Sequence, residues 1–246
     1  LGYVAHVLIA GQFTCTGSLI APQWVLTAGH CASITGSLTL GLLPSPAGWP
    51  PRAYTVTLGT PFADGRGGEQ HAVAQVIVDT DYLVTNGVGN DVTLLRLTTP
   101  SRQRPVPLAP DRPPLWRAGV RATIAGFGTT SESASTPPPQ MRVAQVPFVS
   151  DDDCARAYPK GAAELPDDGY FDPATMVCAG YPRGGTDTCE GDSGGPLLAP
   201  VPIKRPAPHR TQRRRHRRQR RAPARTQLMV VGATSFGKGC AEAGHP

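Results

Sequence analysis

The stretch Asp187–Leu198, DTCEGDSGGPLL, decides how this sequence is read. Its centre is Ser193, with glycine at 191, 194 and 195. Glycines on both sides let the chain turn sharply and leave backbone N–H groups free to face an oxyanion, which acyl transfer needs beside a serine. A serine held this way still requires a base and an acid to orient that base.

Gly191-Asp192-Ser193-Gly194-Gly195 also fits the loose G-x-S-x-G of α/β-hydrolases, whose acid and histidine follow the serine. No Asp lies after Ser193, and the only later acid, Glu242, sits three residues from His245, too close in sequence to build that triad. VLTAGHC (Val25–Cys31) offers His30, and an imidazole with a free pKa near 6.5 suits a general base for a hydroxyl at neutral pH. GNDVTLLRL (Gly89–Leu97) offers Asp91 at the mouth of an apolar strand. Alone, His30 reads as structural and Asp91 as a turn residue bonding its own backbone. The order His30, Asp91, Ser193 matches that of a known base, acid and nucleophile triad.

The surrounding chain predicts an all-β protein. Its 246 residues are 39% hydrophobic, enough to bury a core, and 28 Gly and 27 Pro are spread along the length. Short alternating or β-branched runs recur, among them YVAHVLIA, TCTGSLIA, WVLTA, AYTVTLG, AVAQVIV, DVTLLRL, VRATIAGFG, RVAQVPFV, MVCAG, GPLLAPV and LMVVGATSF. Turn residues separate them, as in antiparallel sandwiches and barrels. The best helix candidate is SDDDCARAY, where Ser150 can cap the following amides and Asp153 adds acid at the positive end. A Pro-rich passage, Thr98–Trp116, reads as a linker between two halves, placing a first domain at 1–105 and a second at 106–246.

The formal charge of +6 is local in origin. Lys204–Arg225 holds 11 of the 24 Lys and Arg and no acid, so the remainder carries 13 basic against 18 acidic side chains. An acidic body with one basic run is not the footprint of a domain built around a phosphate backbone. The run, at about 199–227, reads as a disordered insertion with three candidate roles: a tolerated segment, a weak anchor for polyanions, or a site of self-cleavage. Six cysteines without CxxC or Cys/His spacing favour disulfides in an oxidising compartment over metal, with 15 pairings open. No metal site or cofactor is expected. No apolar run approaches the roughly 20 residues of a membrane span, and the opening LGYVAHVLIAG lacks the pattern of a signal peptide, so the chain reads as beginning inside a fold.

Taken together, these motifs resemble the trypsin-like serine proteases of the chymotrypsin fold, in a form similar to secreted bacterial members. The likeness runs from HVLIAGQFTCTGSLIAPQWVLTAGHC to VGATSFGKGCAEAGHP and excludes the Arg-rich run. It implies two antiparallel six-stranded β-barrels with the active site in the cleft between them. It implies Ser193 as nucleophile, His30 as base and acid, Asp91 as orienting acid, and the amides of Gly191 and Ser193 as oxyanion hole. Asp187 falls where the family places the pocket floor, selecting Arg or Lys before the scissile bond, while Ser235, Phe236 and Gly237 match the segment that edges the pocket. The pairings Cys15–Cys31, Cys154–Cys178 and Cys189–Cys240 follow from the same resemblance, as do secretion, protein or peptide substrates and protein protease inhibitors as partners.

Against the family pattern, no Ile-Val-Gly-Gly-like start stands at Leu1 to supply an amine for Asp192, and the last strand and terminal helix are expected to be missing after Pro246. A catalytically impaired binding module of the same fold, using its basic loop for polyanions, is the competing expectation.

Overall fold

The computed structural model describes residues 1–32, 48–84, 89–110, 115–161, 169–203 and 225–246, with the side chains of 83 and 84 left aside. Ten strands dominate and helix is confined to short pieces, so the all-β expectation holds. Six strands close a barrel in the order β1-β2-β3-β6-β5-β4: β1 is Val4–Ile9, β2 Phe13–Ala21, β3 Trp24–Thr27, β4 Tyr54–Leu58, β5 Glu69–Val78 and β6 Thr93–Leu97. All six pairings are antiparallel. Alternation puts Val7, Leu19, Val25, Val56, Leu58, Leu95 and Leu97 inside, each fully shielded from water.

The second half supplies a second sheet, consistent with the expected two-barrel fold. Among the described residues it is a four-stranded sheet in the order β10-β9-β7-β8, formed by β7 (Arg121–Gly126), β8 (Arg142–Pro147), β9 (Pro196–Ile203) and β10 (Arg225–Ala233). The run Met176–Gly180, expected as a strand, and the linker each add one isolated bridge. Met176–Gly180 meets the sheet through the bridge Phe148↔Ala179, and the linker meets β10 through Leu108↔Val230. Pro107, beside Leu108, has no N–H with which to extend the linker's bridge. The core here is Ala122, Ile124, Val146, Phe148, Leu197 and Val201.

Helix α2 (Asp151–Ala157) forms where expected. The Ser150 hydroxyl accepts from the Asp153 amide at 3.2 Å, satisfying one of the open N–H groups of the first turn. A five-residue helix, α1 (Thr80–Val84), precedes the Asp91 turn.

The insertion bounds need correcting. Residues 199–203 and 225–227 are paired strand residues, with Arg225↔Ile203, Thr226↔Pro202 and Gln227↔Val201 in register. The ladder persists because Val201 is buried on the sheet's inner face. Disorder expected for the basic run concerns residues 204–224, which lie outside the described residues.

Glu69 braces the first half to the linker. It accepts from Ser101 Oγ at 3.0 Å, the Arg102 amide at 2.9 Å and Gln103 Nε2 at 2.8 Å. Burial pushes its carboxyl up, but these donors outweigh that and hold it at about 2.

Candidate active site

The site lies where the barrel meets the second sheet. Asp91 is placed by a turn whose backbone enters the left-handed region twice, at Gly89 (φ 71°) and Asn90 (φ 48°), residue types that tolerate it. Opposite, Gly29 leaves room for the approach: a Cβ there would stand 2.9 Å from both Asp91 Oδ1 and the Tyr82 ring. The carboxylate closes on His30 through two bonds, accepting from the His30 amide on Oδ1 and meeting Nδ1 on Oδ2, each at 2.8 Å. With Asp91 ionised, Nδ1 is the ring nitrogen that carries the proton of this bond. A third donor arrives from the other half, Ser235 Oγ at 2.5 Å from Oδ2.

The Asp91 side chain is 8% exposed. Burial pushes its carboxyl up, yet the bonds and charge of His30 and the hydroxyl of Ser235 hold it below the usual Asp value. It is a fixed negative charge that orients the imidazole.

Ser193 sits in the same crossing. Its carbonyl accepts from the Thr16 amide on β2 at 2.8 Å, and the Cys31 sulfur lies 3.8 Å from that carbonyl. The turn is pressed against the barrel at Gly194 (φ 79°), where a Cβ would fall 2.1 Å from Thr27 Oγ1 and 2.4 Å from the Thr16 carbonyl. Only glycine fits there. The Thr16 hydroxyl donates to the Gly191 carbonyl at 2.9 Å and accepts from the Phe127 amide at 3.1 Å. Gly191 takes φ 95°. Among the described residues, the amides of Gly191 and Ser193 have no backbone acceptor, whereas Asp192 N donates to Cys189 O and Gly195 N to Asp192 O.

Asp192 turns inward and shapes this loop. Its oxygens accept from the Gly128 amide at 2.8 Å and the Cys189 amide at 3.0 Å. Burial raises its carboxyl above the usual value despite those bonds, and the charge of Asp187 adds to the rise.

A cavity of about 430 Å³ opens beside this turn, and Asp187, Ser235, Phe236, Gly237 and Asp91 are among its lining. Asp187 accepts from the Thr188 amide at 2.7 Å and the Ala241 amide at 3.1 Å. Burial still pushes its carboxyl up, against those two bonds. No cation stands within salt-bridge reach of it among the described residues. Phe236 is 40% exposed and packs edge-on against Tyr158 at 5.6 Å between ring centres.

His30, Asp91 and Ser235 are joined by hydrogen bonds, Asp91, Asp187 and Ser235–Gly237 line one cavity, and Ser193 is tied to β2 through its carbonyl. Sequence reading missed Thr16 and Gly128. The only signal for either was local: Thr16 follows Cys15, and Gly128 ends the GFG that closes β7.

The disulfides are Cys15–Cys31, Cys154–Cys178 and Cys189–Cys240, the three pairings the resemblance implied. The first joins β2 to the residue after His30, and the third ties the Ser193 turn to the cavity wall. Among the described residues no cluster of His, Cys, Asp and Glu has the arrangement of a metal site.

A family profile described as Trypsin matches residues 2–246. The chain is 34% identical to Serine protease 56 of Homo sapiens over 99% of its own length, and spans 34% of that protein. It is 32% identical to the trypsin of Saccharopolyspora erythraea, again over 99% of its length, and there covers 84% of the relative. Serine protease 1 of Canis lupus familiaris is 28% identical over 97% of the chain and 76% of that protein. The crossing of barrel and sheet, the disulfide set and these matches agree: the chain belongs to the trypsin family of serine proteases.

Proposed function

We propose that the chain hydrolyses peptide bonds on the carboxyl side of Arg or Lys through an acyl-enzyme on Ser193. The observation that carries this reading is the 2.8 Å contact between His30 Nδ1 and Asp91 Oδ2, beside a serine turn anchored to the same barrel. His30 Nε2 takes the Ser193 proton as Oγ attacks the carbonyl carbon, and Asp91 stabilises the imidazolium that forms. The amides of Gly191 and Ser193 receive the oxyanion. The C–N bond breaks as His30 returns the proton to the leaving amine. Water then attacks the ester with His30 again as base, freeing the new carboxyl end.

Asp187 supports the preference for Arg or Lys. A buried carboxylate without a cation is costly, and a guanidinium or ammonium entering the cavity relieves that cost. Ser235–Gly237 edges the same cavity and supplies backbone for the substrate chain. Protein inhibitors that present Arg or Lys in an extended loop fall within the same recognition. Three disulfides favour a secreted location. No helix among the described residues is long and apolar enough to cross a membrane.

The test is turnover of a chromogenic Arg amide against its Phe counterpart, with labelling by a serine-directed phosphonate. Turnover of the Arg amide and labelling, both lost in Ser193→Ala, support the reading. Binding of a polyanion such as heparin with neither turnover nor labelling favours the non-catalytic module instead.

A further inference from the structure

Thr16 lies on β2, where Cys15 and Leu19 face the barrel interior and Thr16 turns outward toward the second half. It is fully shielded from water. A buried hydroxyl needs partners, and this one has two: it donates to the Gly191 carbonyl at 2.9 Å and accepts from the Phe127 amide at 3.1 Å. Two glycines seat it. A Cβ at Gly195 would stand 3.3 Å from the Thr16 methyl and one at Gly126 3.1 Å from its hydroxyl, so the side chain is packed in place before any substrate arrives.

Both residues whose amides are to receive the oxyanion are bonded to Thr16. Its amide donates to the Ser193 carbonyl at 2.8 Å, while its hydroxyl holds the Gly191 carbonyl. The first bond belongs to the backbone and does not depend on the side chain. The second exists only because residue 16 carries a hydroxyl.

Gly191 needs such a hold. At φ 95° it sits where glycine goes freely, and that same freedom means nothing intrinsic keeps it there. Two peptide planes meet at its Cα. In the first, the Glu190 carbonyl accepts from the Thr129 amide at 2.8 Å; the C=O and N–H of a trans peptide point opposite ways, so the Gly191 N–H is turned away from Thr129. In the second, the Asp192 amide donates to the Cys189 carbonyl at 2.9 Å, and Thr16 holds the Gly191 carbonyl. Cys189 belongs to the same turn, so its bond moves with the turn. Thr16 instead refers this plane to the barrel, which carries His30 three residues past the end of β3.

Resting on the acyl-enzyme reading above, we infer that the Thr16 hydroxyl is a positioning group for the oxyanion site: by holding the Gly191 carbonyl against the barrel, it keeps the Gly191 N–H aimed at the oxygen on which charge develops. The hydroxyl itself touches neither substrate nor reacting atoms. Its effect is realised as the carbonyl oxygen becomes an oxyanion, because donors held in place beforehand need no reorganisation at that moment. Entry of an Arg or Lys side chain does not pass through it, since Thr16 is not part of the lining of the Asp187 cavity.

The experiment compares wild type with three variants: Thr16→Val, which keeps the shape and removes the hydroxyl, Thr16→Ala, which removes it with less bulk, and Thr16→Ser, which keeps it. Three quantities are read. They are kcat and KM for a chromogenic Arg amide, the affinity for benzamidine, and the pH at which the hemiketal of an Arg trifluoromethyl ketone ionises, followed by fluorine NMR. In that adduct Ser193 Oγ has bonded to the ketone carbon, and the former ketone oxygen occupies the oxyanion position. Thr16→Val and Thr16→Ala should lower kcat roughly tenfold, less than the roughly 10²–10³ lost with a whole donor, with KM nearly unchanged. The hemiketal should ionise about one pH unit higher, which reads the same tenfold weakening directly. Benzamidine should bind as it does to wild type, and Thr16→Ser should return kcat and the hemiketal toward wild type. Benzamidine binding weakened in step with turnover means that the hydroxyl supports the fold as a whole, and overturns the positioning role. An unmoved hemiketal in either hydroxyl-free variant overturns it as well, leaving the acyl-enzyme reading intact. Neither turnover nor hemiketal in wild type overturns that reading, and the inference with it.

Discussion

Ser235 donates its hydroxyl to the same oxygen of Asp91 that meets His30 Nδ1. The acid that orients the imidazole is thus held from both halves of the molecule. Ser235→Ala removes one donor from a carboxylate with 8% of its side chain exposed. One hydrogen bond to a charged group contributes roughly 1.5–3 kcal/mol. A fall in kcat of about tenfold is expected, with KM for an Arg amide nearly unchanged. The pH at which the Asp91 carboxyl protonates should move upward, because it loses a bond that lowers it, and an NMR titration of that carboxyl checks this. An unchanged titration would show that Ser235 does not tune the acid.

Asp91→Asn keeps the shape and removes the charge. The amide then meets Nδ1 with an N–H, forcing the imidazole into the tautomer that cannot accept the Ser193 proton. Loss of about 10⁴ in kcat is expected. Circular dichroism should be unchanged, which separates this loss from unfolding.

Asp187→Ser should redirect the cavity. Breaking a buried ion pair from one side costs about 3–5 kcal/mol, so kcat/KM for an Arg amide should drop by roughly 10²–10³. Without substrate the replacement relieves a carboxyl that burial disfavours, and Tm should rise or stay level. Steady-state kinetics with paired Arg and Phe amides, and a thermal melt, check both statements.

Gly194→Ala puts a methyl group 2.1 Å from Thr27 Oγ1 at a left-handed φ. Strain and overpacking together should cost about 2–4 kcal/mol and misplace the serine turn. Phosphonate labelling should fall together with denaturant midpoint.

Glu69 gives a pH signature for stability. Its folded value of about 2 lies below the ordinary 4.5, so the ionised side chain stabilises the fold fully above 4.5. That contribution is lost as pH falls toward 2. Glu69→Gln should lower Tm at neutral pH, and the gap from wild type should close on acidification. A gap independent of pH would mean that packing, not charge, makes the bond to the linker.

The legible parts of this protein were those that local chemistry marks. Alternation gave β1 to β10, because a half-buried strand writes its two faces into the sequence. The Ser150 cap and the glycines round Ser193 likewise carry their own conformational reason. That Met176–Gly180 adds only a single bridge was not legible, because it has a strand's composition and its pairing is set by tertiary position. The bounds of the basic insertion were misjudged because composition changes at Lys204 while the ladder obeys the burial of Val201. Thr16 was invisible for the same reason. Its importance is entirely a matter of what lies across from it.

Thr16 commits all three of its polar groups in four hydrogen bonds: its hydroxyl donates to the Gly191 carbonyl and accepts from the Phe127 amide, its amide donates to the Ser193 carbonyl, and its carbonyl accepts from the Thr27 hydroxyl. A single residue on β2 thereby acts as the dowel through which barrel, sheet and serine loop are aligned. Competence should emerge late during refolding, after each half has formed its own core, since no half contains the complete joint.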